Sequence, residues 1–549
     1  MEKLIECVPN FSEGRDETVI KQITDRIESI EGCKLLNVDP GKATNRTVVT
    51  FAGTPDAVID AAFESIKKAA ELIDMSKHKG EHPRMGATDV CPLIPLSGVT
   101  IEEAVKYANI LAARVGKELN IPVYLYEYAQ PDKQRSNLSV IREGEYEGFF
   151  KKIKQKEWKP DYGPNDFPAH SGGTVIGVRD FLVAYNVNLN TRSVRRANAV
   201  AFDVRERGRI ITDSAGAQVQ KPGTLKAVKA IGWYIEEYGQ AQVSINLTDL
   251  NTTPLHVAFE EVSKKANERG LRVTGSELVG LVPLHTLVEA GKYFLNKQNC
   301  SAGVSESEFI HIAIKSLGLD ELNKFDPAKR IVEYCLRAPG ALEKLTIAQF
   351  ADKTASESPA PGGGSVAAYL GALGAALGAM VANLSASKKG WENRLTEFSE
   401  LAGKGQTLKA ALVKLVDEDT EAFNGIMNAF KLPKSTEQEK LQRKEAVQKA
   451  TQKAIEIPFS VMQHSLEALK LIKIMAERGN PNSVSDAGVG ALCARSAVLG
   501  AHLNVRINSG GIDDRIWLNK ILEESIRVEE NATNLEKEIL GIVDMKLKA

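Results

Sequence analysis

The stretch Leu408–Phe430, LKAALVKLVDEDTEAFNGIMNAF, decides how the last third of the chain folds. Leu408, Leu412, Leu415, Val416, Ala422, Phe423, Ile426 and Phe430 recur at three-and-four spacing, which predicts a helix with one apolar stripe. Asp419 falls on that stripe, four residues after Leu415 and four before Phe423. Asp417 lies about 200° around the helix from it, and Glu418 and Glu421 turn towards the polar side. A lone buried charge is costly, so a carboxylate in an apolar stripe is paired, protonated or part of a site. Asp419 is therefore a candidate general acid/base with a raised pKa; a satisfied buried Asp, or a helix turned to expose it, is the alternative.

Outward from this helix the pattern stays helical. The 68 residues from Asn482 to Ala549 contain no proline, which leaves room for long helices. Ser358–Ser387 carries no charge over 30 residues and is long enough to span a membrane. It opens with Pro359, Pro361 and three glycines, however, and Ala and Gly dominate where Leu, Ile and Phe favour insertion. The expectation is a buried helix whose Gly371, Gly374 and Gly378 allow close approach of a partner; Gly488–Ala501 has a similar small-residue face.

The first 340 residues read differently. They hold 25 of the 33 aromatic residues. Short β-branched runs at Arg46–Phe51, Thr174–Val178, Phe181–Leu189 and Ala241–Leu247 alternate with helical patterns at Pro55–Ile73 and Thr100–Leu119. The predicted fold is multidomain: two α/β (α+β sandwich-like) subdomains at 1–181 and 182–336, a linker at 337–344, and an all-α helical bundle at 345–549. A chain of 549 residues accommodates that many units.

The 70 Lys and Arg against 71 Asp and Glu leave a formal charge of −1, which argues against nucleic acid or an anionic membrane as the main partner. Six cysteines stand singly, as in a reducing compartment, and Glu2, Glu6 and Pro9 interrupt any secretory pattern at the start, so a cytoplasmic location is expected.

No Walker loop, GxGxxG after a strand, HExxH, GxSxG or paired Cys/His zinc spacing occurs, and no metal is expected. His78 and His82 are four apart, but Gly80 and Pro83 end any helix that would align them for a metal. What remains is a loop holding His82 beside Glu81 and Arg84, able to tune an imidazole near neutrality, though a loop histidine is as readily structural. Asp39–Arg46 (DPGKATNR) reads as a second polar loop, either an Asx turn or a binding loop. Ser358–Val366 (SPAPGGGSV) reads as a glycine-rich loop that lets a ligand approach a helix N-terminus, or as a linker.

Several long motifs then carry a resemblance. CVPNFSEG (Cys7–Gly14), HKGEHPRMGATDVCP (His78–Pro92), AIGWY (Ala230–Tyr234) and LVGLVPL (Leu278–Leu284) resemble glutamate formimidoyltransferase. APGGGSVAA (Ala360–Ala368) and LVDEDTEAF (Leu415–Phe423) resemble formimidoyltetrahydrofolate cyclodeaminase. In order along one chain, they resemble the bifunctional formimidoyltransferase-cyclodeaminase family of histidine degradation. The resemblance implies transfer of a formimino group from N-formimino-L-glutamate to N5 of tetrahydrofolate, then closure to 5,10-methenyltetrahydrofolate with release of ammonia. It implies His82 as catalytic histidine with Asp39 assisting, and Asp419 as catalytic aspartate of the second reaction. It places folate along Gly163, Pro164, Asn165, Asp166, Phe167, Pro168, Ala169, His170, Ser171 and Gly172, approximately at Gly223, Thr224 and Leu225, and at Gly362, Gly363, Gly364 and Ser365. Polyglutamylated tetrahydrofolate is the implied co-substrate, and dimers assembling to an octamer the implied homo-oligomer. Arg192, Arg195, Arg196, Lys221, Lys226 and Lys229 could attract its carboxylates or form a solvated basic face. Two alternatives stay open: a transferase fused to a methenyltetrahydrofolate cyclohydrolase-like domain, and a non-catalytic folate-binding scaffold.

Overall fold

A computed structural model describes residues 3–41, 45–80, 83–212, 214, 216–336 and 340–548. It divides into two compact units, Met1–Ala290 with Ile314–Arg337, and Gly291–Ala313 with Ala338–Ala549.

The first unit is α/β, and its described residues form two larger sheets and a two-stranded ribbon. Strands β1 (Leu4–Cys7), β2 (Asn10–Phe11), β3 (Cys33–Gly41), β4 (Arg46–Gly53), β5 (Thr88–Ser97), β6 (Val123–Glu127) and β7 (Thr174–Val178) build one in the order β1-β4-β2-β5-β7-β6, with β3 on the outer side of β4. Among the described residues of this sheet, the β5–β7 and β6–β7 pairings alone are parallel. Helices α1 (Glu17–Glu28), α2 (Pro55–Leu72) and α3 (Ile101–Glu118) bury their apolar stripes against this sheet. Thr100 closes a capping box at the start of α3, and Pro55 stands in the first turn of α2, where its missing amide costs nothing. On β4, Val49 and Phe51 enter the core while Arg46 and Val48 face the other way, as strand alternation requires. Short helices α4 (Leu138–Ile141) and α5 (Glu145–Lys152) follow β6.

The second sheet is antiparallel. It comprises β8 (Val183–Leu189), β11 (Val228–Ile235), β12 (Gln240–Leu247) and β13 (Val273–Val279), ordered β11-β12-β8-β13, and a separate ribbon pairs β9 (Arg209–Thr212) with β10 (Gln218–Lys221). Helix α6 (Val194–Val204) lies so close to β11 that a Cβ on Gly232 would meet the Asn198 amide at 2.2 Å. Then come α7 (Leu255–Asn267), α8 (Leu284–Lys297), α9 (Glu306–Leu317), α10 (Pro327–Arg330) and α11 (Val332–Leu336).

The second unit is helical: α12 (Ile347–Thr354), α13 (Gly363–Ala386), α14 (Leu395–Lys431), α15 (Glu437–Arg478), α16 (Val484–Asn508) and α17 (Arg515–Lys548). Segment 291–313, within the stretch read from sequence as the second subdomain, packs here. Asn383 and Gln406 both donate to the Gly303 carbonyl, and Ser399 accepts from the Ala302 amide. Helix α13 is long and apolar enough to cross a membrane, yet 61% of its most apolar window is buried inside this unit. Its glycines explain the burial: Cβ atoms on Gly371 and Gly374 would lie 2.5 Å from the Ser465 hydroxyl and 2.9 Å from the Gly490 carbonyl. Small residues thus let α13 approach α15 and α16 closely enough for dispersion contacts along its length.

Two sequence expectations are corrected. Asp39, Pro40 and Gly41 are not loop but the end of β3, paired with Val48, Thr47 and Arg46. That strand is an edge, whose outer side needs no donor from Pro40. The stripe of α14 is buried only at Leu408, Leu412, Leu415, Val416 and Ala422; Phe423 and Phe430 are 37% and 51% exposed, past the level of Asp419 at which α13 begins.

Candidate functional sites

In the first unit the segment between α2 and β5 is tied down on both sides of His82, which itself lies outside the described residues. His78 Nε2 sits 2.9 Å from the Asn45 carbonyl, and Arg84 donates through Nε to His78 Nδ1 at 3.2 Å. That pairing requires a neutral imidazole with its proton on Nε2. Burial, opposed by the Asn45 bond and aided by the Arg84 charge, holds the His78 pKa below its usual value. Asn45, at φ +48°, accepts from the Gly14 amide and donates to the Lys79 carbonyl. Arg84 is held in turn by Glu145 and Glu147.

Asp39 is exposed on β3, directly opposite Val48. Cross-strand neighbours share a face, so Asp39 lies on the side of the sheet that Val48 presents to a cavity of about 820 Å³. That cavity is walled by both subdomains of the unit: Asn10, Arg46 and Arg142 on one side, Lys229 and Asp249 on another, with Arg179 and Asp180 between them in sequence. Asp180 accepts from Tyr128 at 2.6 Å, and burial raises the Glu127 carboxyl against the pull of Lys229 and Arg179. Of the six basic residues singled out from sequence, Lys229 lines this cavity.

The segments matched to folate contacts do not line it. Gly163, at φ +85°, lies where a Cβ would meet the Ile121 carbonyl at 2.3 Å. Phe167 is buried and stacks on Phe149. From Pro168 to Gly172 the chain docks onto the same loop that brackets His82: the His170 and Ser171 carbonyls accept from the Met75 and Ala87 amides, and Gly172 bridges Gly86. Pro164 is half-buried, while Asn165, Asp166, Ala169 and His170 remain exposed there. Gly223, Thr224 and Leu225 close the end of α6, with Thr224 and Leu225 donating to the Asp203 and Val204 carbonyls.

In the second unit the glycine-rich motif starts α13, with Gly362 as its N-cap. Ser365 is fully buried and donates to Asp419 Oδ2 at 2.9 Å. A Cβ on Gly364 would lie 2.1 Å from Asp419 Oδ1, and one on Gly363 would lie 3.6 Å from the Asn504 amide nitrogen on α16. The carboxylate thus sits at the first turn of α13, where free amides favour negative charge. Burial nevertheless dominates and raises the Asp419 pKa above its ordinary value, with hydrogen bonding from Ser365 pulling the other way. Asp417 does a separate job on its own face, accepting from the Leu342 and Glu343 amides. Just past Asp419, α14 and α15 enclose a groove of about 690 Å³ that carries Lys449 and Lys453.

Family models place these two constellations. The model described as "Formiminotransferase domain, N-terminal subdomain" matches residues 4–179, "Formiminotransferase domain" matches 184–337, and "Formiminotransferase-cyclodeaminase" matches 346–526. A formimidoyltransferase-cyclodeaminase from Dictyostelium discoideum is 42% identical over 548 residues, 99% of each chain. The chain belongs to the formimidoyltransferase-cyclodeaminase family. Single-activity relatives of this family member split along the same line. A glutamate formimidoyltransferase from Thermoplasma acidophilum is 42% identical over 55% of this chain and 95% of its own. A methenyltetrahydrofolate cyclohydrolase from Methylorubrum extorquens is 38% identical over 37% of this chain and 97% of its own.

Sequence reasoning missed Asn10, Asp89, Arg142 and Arg179. Asn10 and Asp89 stood inside the quoted motifs, in CVPNFSEG and GATDVCP, but nothing in the sequence joined them to an arginine.

Proposed function

We propose that the chain is a bifunctional folate enzyme of histidine degradation. The first unit moves the formimino group of N-formimino-L-glutamate to N5 of tetrahydrofolate, releasing glutamate. The helical unit closes 5-formimidoyltetrahydrofolate to 5,10-methenyltetrahydrofolate and releases ammonia. The observation that carries this reading is similarity along the entire chain to proteins bearing both activities.

In the transfer, N5 loses a proton as it attacks the amidine carbon, and the glutamate nitrogen gains one as it leaves. His82 is the shuttle in this reading and Asp39 assists it, supported by the pinned flanks of the loop and by Asp39's place on the cavity side of the sheet. In the cyclisation N10 attacks the formimino carbon, and a carboxyl with raised pKa can hand a proton to the departing amine; Asp419 fits that role.

The similarity to a cyclohydrolase favours a second reading, in which the helical unit hydrolyses methenyltetrahydrofolate. Ammonia release from 5-formimidoyltetrahydrofolate, compared with hydrolysis of supplied methenyltetrahydrofolate, separates the two. Polyglutamylated folate is the co-substrate we expect, and the transfer residues to contact it include the exposed positions of 163–172. We also propose a homo-oligomer of dimers. Its support is an apolar row left exposed on α13 (Leu373, Met380, Leu384) and another on α16 (Leu492, Leu503, Ile507). A cytoplasmic setting is supported by the cysteines, which are free thiols even where Cys7 and Cys91 stand 3.4 Å apart.

A further inference from the structure

Asp89 is the best-buried carboxylate on the cavity side of the first sheet, its side chain 1% exposed. It is the extra residue of a β-bulge: Asn10 pairs with Val90 and Phe11 with Thr88, leaving Asp89 unpaired between them. A bulge re-aims a side chain, here towards two arginines at the cavity wall. Arg46 donates through Nη1 to Asp89 Oδ2 at 3.0 Å and through Nε and Nη2 to Asn10 Oδ1. Arg142 donates through Nε to Asp89 Oδ1 at 3.2 Å and through Nη2 to Oδ2. The Met85 amide completes the set at 3.1 Å. One carboxylate thus fixes two guanidiniums at the cavity wall. Arg142 Nη1 has no hydrogen-bond partner among the described residues.

We infer that Asp89 is a positioning residue that presents Arg46 and Arg142 as a clamp for the α-carboxylate of the formimino donor. The inference rests on the transferase reading above. The clamp is built on the backbone that brackets the transfer loop: Arg46 follows Asn45, which holds His78 and Lys79, and Met85 follows Arg84. A carboxylate held there belongs to the substrate whose reacting carbon is close to it. In N-formimino-L-glutamate only the nitrogen and Cα separate the amidine carbon from the α-carboxylate, whereas the carboxylates of tetrahydrofolate lie beyond the aminobenzoyl group. Planar guanidiniums held by a buried partner match a carboxylate with little loss of side-chain freedom.

The test is steady-state transfer by the full chain with N-formimino-L-glutamate and with its analogue lacking the α-carboxylate, against tetrahydrofolate carrying one or three glutamates. Wild type should prefer the complete donor. Arg142→Ala should raise KM for that donor about 10- to 100-fold, the range for a lost charge-assisted hydrogen bond, with little change in kcat, and should erase the preference between donors. Arg142→Lys should recover part of it. Asp89→Asn should move KM the same way; if it fails to fold, the arginine variants still decide. Donor preference retained in Arg142→Ala overturns the clamp, as does a KM rise confined to the triglutamate folate. Absence of transfer in wild type overturns instead the functional reading on which the clamp rests.

Discussion

Replacing Gly364 with alanine puts a methyl group 2.1 Å from Oδ1 and 2.6 Å from Cγ of Asp419. Position 364 is helical and needs no left-handed backbone, and the three atoms nearest the added methyl all belong to the Asp419 carboxylate. The carboxylate must retreat by about 0.9 Å to reach even a 3.0 Å contact, and doing so stretches its bond to Ser365. Alanine gains about 1 kcal/mol of helix propensity over glycine, while overpacking costs about 1–3 kcal/mol, so net stability should change by no more than about 2 kcal/mol. A displacement near 1 Å at a reacting group lowers rate by about 100-fold. The two magnitudes separate: the variant should fold, transfer normally and cyclise about a hundredfold more slowly. The assay supplies 5-formimidoyltetrahydrofolate and follows the methenyl chromophore, with thermal unfolding measured on the same sample. A folded Gly364→Ala protein that cyclises at a near-wild-type rate would refute the assignment of this contact to the reactive site.

Four further expectations follow from the same geometry. Asp419→Asn should abolish cyclisation and keep transfer; since burial raises this carboxyl, its contribution to stability is lost as pH rises through the folded value, so the variant should unfold no earlier than wild type at neutral pH and converge with it below about pH 4, the unfolded pKa. Burial pushes Glu6 up to about 8, partly offset by Arg179, so wild-type stability should fall between about pH 4.5 and 8 by up to roughly 1.4 kcal/mol per unit, and Glu6→Gln should flatten that slope in urea titrations. Leu503→Lys paired with Leu373→Lys should shift sedimentation towards smaller species without unfolding the helical unit, or the exposed rows are not an interface. Chelation should leave both rates unchanged; a loss restored by a divalent metal would contradict the expected metal-free chemistry.

Periodicity carried much of the fold. Thr174–Val178 is a strand and Pro55–Leu72 a helix at almost the bounds their patterns suggest, the strand buried along its whole length and the helix along one face. Asp419 was legible for the same reason: a carboxylate on an apolar stripe has few places to go, and Gly364 is the place it found. Asp39 was misread as loop because Pro40 and Gly41 look like breakers, and only the edge position of β3 makes them harmless. The exposure of Phe423 and Phe430 was illegible, since a stripe does not reveal how much of its length the neighbouring helices cover. The arginine clamp was illegible for a stronger reason. Its members come from β2, β4, β5 and the residue after α4, and a bulge that no residue pattern announces turns Asp89 towards them.

The most direct measurement is one coupled assay on the purified full chain with N-formimino-L-glutamate and tetrahydrofolate, following glutamate, ammonia and methenyltetrahydrofolate together. The account predicts all three in equal amounts from wild type, and glutamate with 5-formimidoyltetrahydrofolate but neither ammonia nor the methenyl product from Asp419→Asn. Methenyl product from Asp419→Asn at the wild-type rate, or glutamate without ammonia from wild type, would contradict it.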